Sequence, residues 1–328
     1  MAAPIAMLPP FMTISREYWC HVAGDLPFTP SIGMVVKYLP FGHLEHSDLE
    51  PDDDFSIEQT MQNHYQVSFT CTISDIDFLI DTTSEEIFCH ITLHHNLFPM
   101  LNPPMPVLES TITSYCWKTM TPADENNKLY LTAECRNVFT PHVGTEQITI
   151  EDMIGASWRF SHSAGKNNTY HFSAGWNVFR LAKRLVRGDK LFFAKTTAGT
   201  YKVCIKRVSR EGATFGPNRS LVRGVNSVED SLLALMEGED IEFKVVFHPS
   251  LPSFIVNPTY LDFAQTFNYV IGTRVKFCGV PASIININRR EIDITVAGPN
   301  AFSWRMVQVL ADGQVESESA NIWELALN

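Results

Sequence analysis

Basic side chains are nearly missing from the first third of this chain. Residues 1–113 hold two, Arg16 and Lys37, against fifteen aspartates and glutamates, for a net charge of -13. A segment that acidic repels polyanions, which excludes it as a nucleic-acid surface. No run of eighteen apolar residues exists, so no transmembrane helix is expected. The first twenty residues have no basic start and no small-residue cleavage site, and Pro4, Pro9 and Pro10 interrupt them. A secretory leader is therefore not expected. The seven cysteines (Cys20, Cys71, Cys89, Cys116, Cys135, Cys204 and Cys278) are odd in number and form no C-x-x-C pair. A reducing compartment, cytosol or nucleus, is the simple reading. The phosphate-loop, dinucleotide, zinc-protease and nucleophile-elbow patterns are missing too, so enzyme chemistry has no positive support.

Two histidine groups were weighed as metal ligands. In Cys89-His90 with His94-His95, strand neighbours point to opposite faces, so at most alternate members converge. Between His43 and His46 a turn can form, but no cysteine stands nearby in sequence. Both groups read as structural; no metal and no cofactor are expected. The acidic run Glu50, Asp52, Asp53, Asp54 reads as a solvated loop.

What is present is a segregation of charge. Residues 114–210 carry a net +8 and residues 211–328 a net -6, within a total of -11. A basic island between acidic flanks suits an anionic partner that meets the middle of the chain and not its ends. At 328 residues, two or three domains are expected. Strand signals dominate. Residues 66–80 alternate apolar and polar, Asp81–Glu86 reads as a turn, and Ile87–Leu93 as a second strand, giving a hairpin. Pro99, Pro103, Pro104 and Pro106 mark a linker. Beyond it, Trp158–Phe160, Trp176–Phe179, Leu191–Ala194 and Tyr201–Arg207 read as strands, and so do Asp240–His248, Phe302–Leu310 and Ile322–Leu327. Helices are expected at 227–236, with Ser227 as N-cap, and at Pro258–Thr266.

Several blocks, in order, resemble the DNA-binding region of plant auxin response factors. Arg16–Gly24 is similar to that family's L-W-x-A-C-A-G opening, and Val35–His46 to its V-x-Y-F-P-Q-G-H-x-E-Q/H block. Trp158-Arg159-Phe160 matches W-[RK]-F, and Gly175–Phe179 with Lys183–Asp189 matches G-W-S-x-F-V-x-x-K-[RK]-L-x-x-G-D. Ser253–Val256, Ile271–Phe277, Trp304–Val309 and Ile322–Leu325 resemble the later blocks. The resemblance implies a mainly β (α+β) chain in which a B3 pseudo-barrel is inserted in a split β-rich dimerisation domain. A small Tudor-like β domain follows. Here that maps as dimerisation segments 1–112 and 212–266, a B3-like domain at 113–211 and an ancillary domain at 267–328. It implies a nuclear, sequence-specific DNA-binding transcription regulator without enzymatic activity. Its expected partners are double-stranded DNA and a second copy or a related auxin response factor, with no membrane and no small-molecule substrate.

The departures from the family fall on its DNA-reading loops. The family's T-H-G-G-F-S-V segment corresponds to Asn126–Thr132, shorter and without glycine. Its R-G-x-P-R-R-H loop corresponds to Ala164–Tyr170, where both reading arginines become Asn168 and Thr169. Neither replacement reproduces a charged two-donor grip on guanine. The DNA-contact candidates are Lys118, Lys128, Lys166, Asn167, Asn168, Thr169, Ser173 and Asn177. Arg184, Arg187, Lys183 and Lys190 are weighed between phosphate contact and support of the fold. Val228, Leu232 and Leu233 are candidates for the dimer contact or for the protomer's own core. The family's C-terminal interaction domain is missing, so auxin control through that route is not expected. The alternative reading is a dimerisation module that pairs with full-length relatives and binds DNA poorly.

Overall fold

The computed structural model describes residues 9–24, 29–45, 68–95, 110–139, 144–164, 169–207, 228–237, 241–249, 253–259, 271–277, 280–287, 307–315, 317–320 and 325–327. The chain is mainly β. It divides into two compact units: Met1–Gly24, Phe78–Phe88 and Pro106–Thr214 form one, and Asp25–Asp77, Cys89–Met105 and Phe215–Asn328 the other.

The first sheet is built from β1 (Phe11–Thr13), β2 (Val35–Tyr38), β3 (Phe69–Asp81) and β4 (Ile87–His95). The alternation read in residues 66–80 does form a strand, and β3 and β4 are neighbours joined at Asp81–Glu86. Asp81 closes that turn by accepting from the backbone N–H of Thr83 and Ser84, both at 2.7 Å. Asp side chains fold back on their own backbone in this way.

The middle of the chain supplies the seven strands of a pseudo-barrel: β5 (Ile112–Thr119), β6 (Leu129–Tyr130), β7 (Thr145–Asp152), β8 (Ser157–Ala164), β9 (Tyr170–Phe172), β10 (Lys190–Thr196) and β11 (Tyr201–Lys206). Their order is β5-β10-β11-β7-β8-β9-β6. The inward positions are apolar, Ile148 and Ile150 on β7, Phe160 on β8, Phe172 on β9, Leu191 and Phe193 on β10, and they make one core with Trp176 and Phe179. Period-two alternation puts the polar residues of the same strands outside.

Later come β12 (Ile241–Phe247), which pairs with β4, and β13 (Ile255–Val256), which pairs with β2. The last five strands, β14 (Arg274–Phe277), β15 (Val280–Ile287), β16 (Val307–Ala311), β17 (Glu318–Ala320) and β18 (Leu325–Leu327), form a separate sheet ordered β17-β16-β15-β14-β18.

Among the described residues four α-helices interrupt the strands: α1 (Arg16–Ala23), α2 (Pro40–Glu45), α3 (Trp176–Ala182) and α4 (Val228–Glu237). Ser15 caps α1, its hydroxyl accepting from the Tyr18 N–H. The third helix corrects the strand expected at Trp176–Phe179. Gly175 stands before it at φ +90°, a conformation that glycine adopts without strain. Trp176, Phe179 and Lys183 then recur at helical spacing, and all three are buried.

Of the α4 residues weighed between a dimer contact and the protomer's own core, Val228 and Leu232 are buried within this chain. The side chain of Leu233 lies outside the described residues, as do the proline-rich linker and most of the helix expected at Pro258–Thr266. Of the histidines weighed as metal ligands, His43 and His95 are engaged by neighbouring groups, and His46 lies outside the described residues. His43 Nδ1 lies 2.7 Å from the Tyr38 hydroxyl, its ring stacks on Phe254, and His95 Nδ1 lies 2.9 Å from the Thr70 carbonyl. Cys116 and Cys135 are joined as a disulfide in the barrel core, a pairing that the reading of unpaired cysteines did not include.

Candidate nucleic-acid interface

The edge of the barrel carries most of the described candidates. β6 and β9 run antiparallel, with Leu129 opposite Phe172 and Tyr130 opposite His171. Leu129 and Phe172 point inward and are fully buried. Directly opposed residues share a face, so Tyr130 and His171 both point outward. Lys128 and Ser173 flank the pair one step along and share that outward side. The face continues onto β8 and β7, where Ser163 pairs with His171 and with Thr145. Hydroxyls and amides are tied together across it: Thr145 to Ser163 at 2.8 Å and Gln147 Nε2 to Ser161 Oγ at 2.6 Å. Arg159, opposite Thr149, adds an exposed guanidinium to the outer side of β8.

One buried carboxylate sets this edge. Asp124 sits in a short 3-10 turn, Pro122–Glu125, between β5 and β6. Its side chain accepts from the Thr121 N–H at 2.8 Å and from the Tyr130 N–H at 2.9 Å. Lys118 Nζ lies 2.7 Å away. Burial works against the charge of Asp124, but the hydrogen bonds from Lys118, Thr121 and Tyr130 outweigh it and hold the carboxyl below the usual range. The Trp176 indole donates to the Asp124 carbonyl at 2.8 Å. The turn that precedes Asn126–Thr132 is thus tied to the barrel core.

Lys118 therefore is not placed at the surface. It is 5% exposed and engaged with Asp124, which corrects the phosphate contact expected of it and makes it a support for Tyr130. Lys183 is engaged in the same manner, 2.5 Å from Asp152 and 2.6 Å from Glu85, with the Trp158 ring 5.2 Å from its Nζ. Burial, only partly offset by Lys183, holds the Glu85 carboxyl above the usual range. Lys202 bonds Glu151, Lys206 donates to the Ala23 carbonyl, and Arg207 reaches Asp189. Five of the island's fifteen basic side chains (Lys118, Lys183, Lys202, Lys206 and Arg207) are thus engaged by the fold. Lys128, Arg159, Arg187 and Lys190 are exposed, and their side chains have no partner among the described residues.

Of the remaining candidates, Thr169 is exposed at the start of β9 and Ser173 is half-buried at its end. Asn177, in the first turn of α3, accepts from Arg180 at 3.0 Å. Lys166, Asn167 and Asn168 lie outside the described residues. Tyr130 and His171 were not singled out in the sequence. The signal was available as two short alternations, Lys-Leu-Tyr and Tyr-His-Phe, but Tyr130 and His171 share a face only once the strands are paired.

Residues 116–209 match the family model described as the B3 DNA binding domain. Curated relatives extend the match over most of the chain. Auxin response factor 2 of Arabidopsis thaliana is 26% identical, over 95% of this chain and 38% of its own length. Auxin response factor 24 of Oryza sativa subsp. japonica is 25% identical, over 90% of this chain and 39% of its own. Auxin response factor 20 of Arabidopsis thaliana is 25% identical, over 90% and 52%. The chain thus spans between about a third and a half of the length of these relatives. Among solved structures, the Arabidopsis FUS3-DNA complex aligns with 29% of this chain and 97% of its own at 19% identity, with a TM-score of 0.27.

Proposed function

We propose that this chain, which carries a B3 DNA-binding domain and belongs to the auxin response factor family, binds double-stranded DNA as a nuclear, non-enzymatic regulator of transcription. One observation carries the reading: within the B3-matching residues, the outer face of β6-β9-β8-β7 is polar, bears exposed Lys128 and Arg159, and is backed by an apolar cluster. Groove and phosphate surfaces are met by such a face, with hydroxyls and amides for hydrogen bonds and a few cations for phosphates. The readout differs from that of the relatives. Two bidentate arginine contacts are replaced by Asn168 and Thr169, and each such contact is worth about 1–3 kcal/mol of discrimination. The engaged Lys118 and Lys183 contribute no phosphate contacts, so affinity and salt dependence are both modest. A paired arrangement of two copies, or of one copy with a relative, would place two such faces on an inverted repeat.

The test is an anisotropy titration of labelled duplexes carrying the family's inverted-repeat element against scrambled duplexes, at two stated salt concentrations. Tighter binding to some ordered element than to scrambled duplex supports the reading. Equal, purely salt-dependent binding removes it. The second reading, a dimerisation module that meets DNA poorly, is favoured by the internal engagement of the barrel's lysines. It gains if scrambled and ordered duplexes bind alike while the chain co-purifies with a relative's DNA-binding region.

A further inference from the structure

The two stretches that correspond to the family's reading loops lack its glycines in the first and its reading arginines in the second, yet the β6-β9 ribbon that they enter presents its own set of groups. Tyr130 is 47% exposed. Its ring lies 5.9 Å from that of His171, directly across the ribbon. Neither the tyrosine hydroxyl nor the imidazole nitrogens have a hydrogen-bond partner among the described residues, and neither does the Lys128 ammonium. Two neighbouring outward hydroxyls are engaged instead, Ser163 by Thr145 and Ser161 by Gln147. Three adjacent, outward, unsatisfied polar groups of donor and acceptor type stand on one rigid ribbon.

We propose that Tyr130 and His171 are the base-edge contacts of this protein, taking over the specificity that the missing arginines supply in its relatives, and that Lys128 beside them anchors a phosphate. The inference rests on the DNA-binding reading above and names the residues that would carry it. The ribbon is suited to this task. Its backbone is fixed from behind by the Asp124–Tyr130 hydrogen bond and by buried Leu129 and Phe172, so the contact atoms are preorganised. Burial first, and Lys128 second, keep the His171 imidazole less basic than usual. At neutral pH it therefore meets a base edge as one donor and one acceptor. Its N–H can donate to guanine O6 or to a purine N7, its bare nitrogen can accept from the adenine amino group, and the tyrosine ring offers apolar surface for a thymine methyl as well as its hydroxyl.

The experiment is selection of bound oligonucleotides from a random duplex pool by the full chain and by Tyr130→Ala, His171→Ala and Lys128→Ala. It is followed by salt titrations on the selected sequence. The three side chains are at the surface; melting curves matched to the wild type establish that each variant folds, and Tyr130→Phe and His171→Gln stand in for any that does not. Tyr130→Ala and His171→Ala are expected to lose preference at one or two defined positions, each lowering affinity for the selected duplex by roughly tenfold or less, while affinity for scrambled duplex is unchanged. Lys128→Ala is expected to weaken all duplexes alike and to reduce the salt slope by about one. If the wild type selects a sequence and both ring variants select the same one with the same affinity, the inference fails while the DNA-binding reading stands. If the wild type selects nothing, both fall.

Discussion

Lys183 shows how a residue that reads as a surface cation becomes part of the interior. Its ammonium lies between Asp152 and Glu85, and all three side chains are buried. Asp152 keeps further donors, the Trp158 indole and the Ala156 N–H, both at 2.8 Å. Glu85 is held in place by a turn in which its own backbone adopts φ +59°. Removing the lysine leaves two buried carboxylates facing each other. Lys183→Ala is expected to cost about 3–5 kcal/mol in chemical denaturation. Glu85→Gln in the same background is expected to recover part of that, because one uncompensated charge is gone. An exposed control, Lys190→Ala, is expected to stay within about 0.5 kcal/mol of wild type. His21 gives the pH dependence at this scale. Its ring is packed on Tyr115 and Phe192 at 4.5 and 5.1 Å between centroids, and burial holds its basicity below the ordinary value against the opposing effect of Glu17. The unfolded chain therefore binds the proton more tightly than the folded one. Stability is complete above the ordinary histidine range and declines as pH falls through it. Urea midpoints measured on either side of about pH 6.5 are expected to drop on the acid side, and His21→Phe to flatten that drop.

Elements were legible where one side of a strand decides its pattern. The hairpin of β3 and β4, the hairpin of β10 and β11, and helix α4 all stand in the amino-acid order because alternation, turn residues and helix formers agree there. Trp176–Phe179 did not yield, because two aromatics and a valine in four residues carry the composition of a strand. What makes that segment helical is tertiary: Gly175 passes so close to β8 that an added Cβ would lie 2.0 Å from the Arg159 carbonyl oxygen. The chain must turn there in a left-handed conformation, and α3 begins in the space that remains. Gly175→Ala combines a strained φ with a clash against backbone, and a loss of about 2–4 kcal/mol is expected in thermal or urea unfolding. Because α3 carries Asn177 and buries Trp176 against Asp124, DNA affinity measured on the folded fraction is expected to fall as well. The candidate site was legible only in part for a related reason. Lys128 and Ser173 were found from their likeness to a family motif. Tyr130 and His171 come together only through the register of β6 on β9, a pairing between segments about forty residues apart. The internal engagement of Lys118 and Lys183 depends on carboxylates that no local pattern connects to them.

At the scale of the whole molecule, the unit that holds the barrel is larger than the B3-like stretch. It also gathers Met1–Gly24 and Phe78–Phe88. Helix α1 lays Tyr18 and His21 against Phe192 on the outer side of β10, with ring centroids 6.3 and 5.1 Å apart, and Phe192 is fully buried. Trp19 donates from its indole to the Phe88 carbonyl at 2.9 Å, which ties α1 to the β3–β4 hairpin. Glu17 accepts from the Thr111 N–H at 2.9 Å, where the chain enters β5. The barrel's outer side is thus finished by residues that precede it in sequence by more than eighty positions. A fragment of residues 113–211 alone would expose Phe192 and leave Lys183 without Glu85. Returning one buried aromatic ring to water costs about 1.5–3 kcal/mol, before the charge imbalance is added. Amide exchange at Phe192–Ala194 is expected to be roughly a hundredfold faster in the fragment than in the full chain, since protection there reports the opening free energy of the central strand. Equal protection in the two would mean that the barrel is self-sufficient and that α1 and the hairpin turn merely rest on it. A DNA-affinity measurement on the same fragment would then give the B3 face its own binding constant.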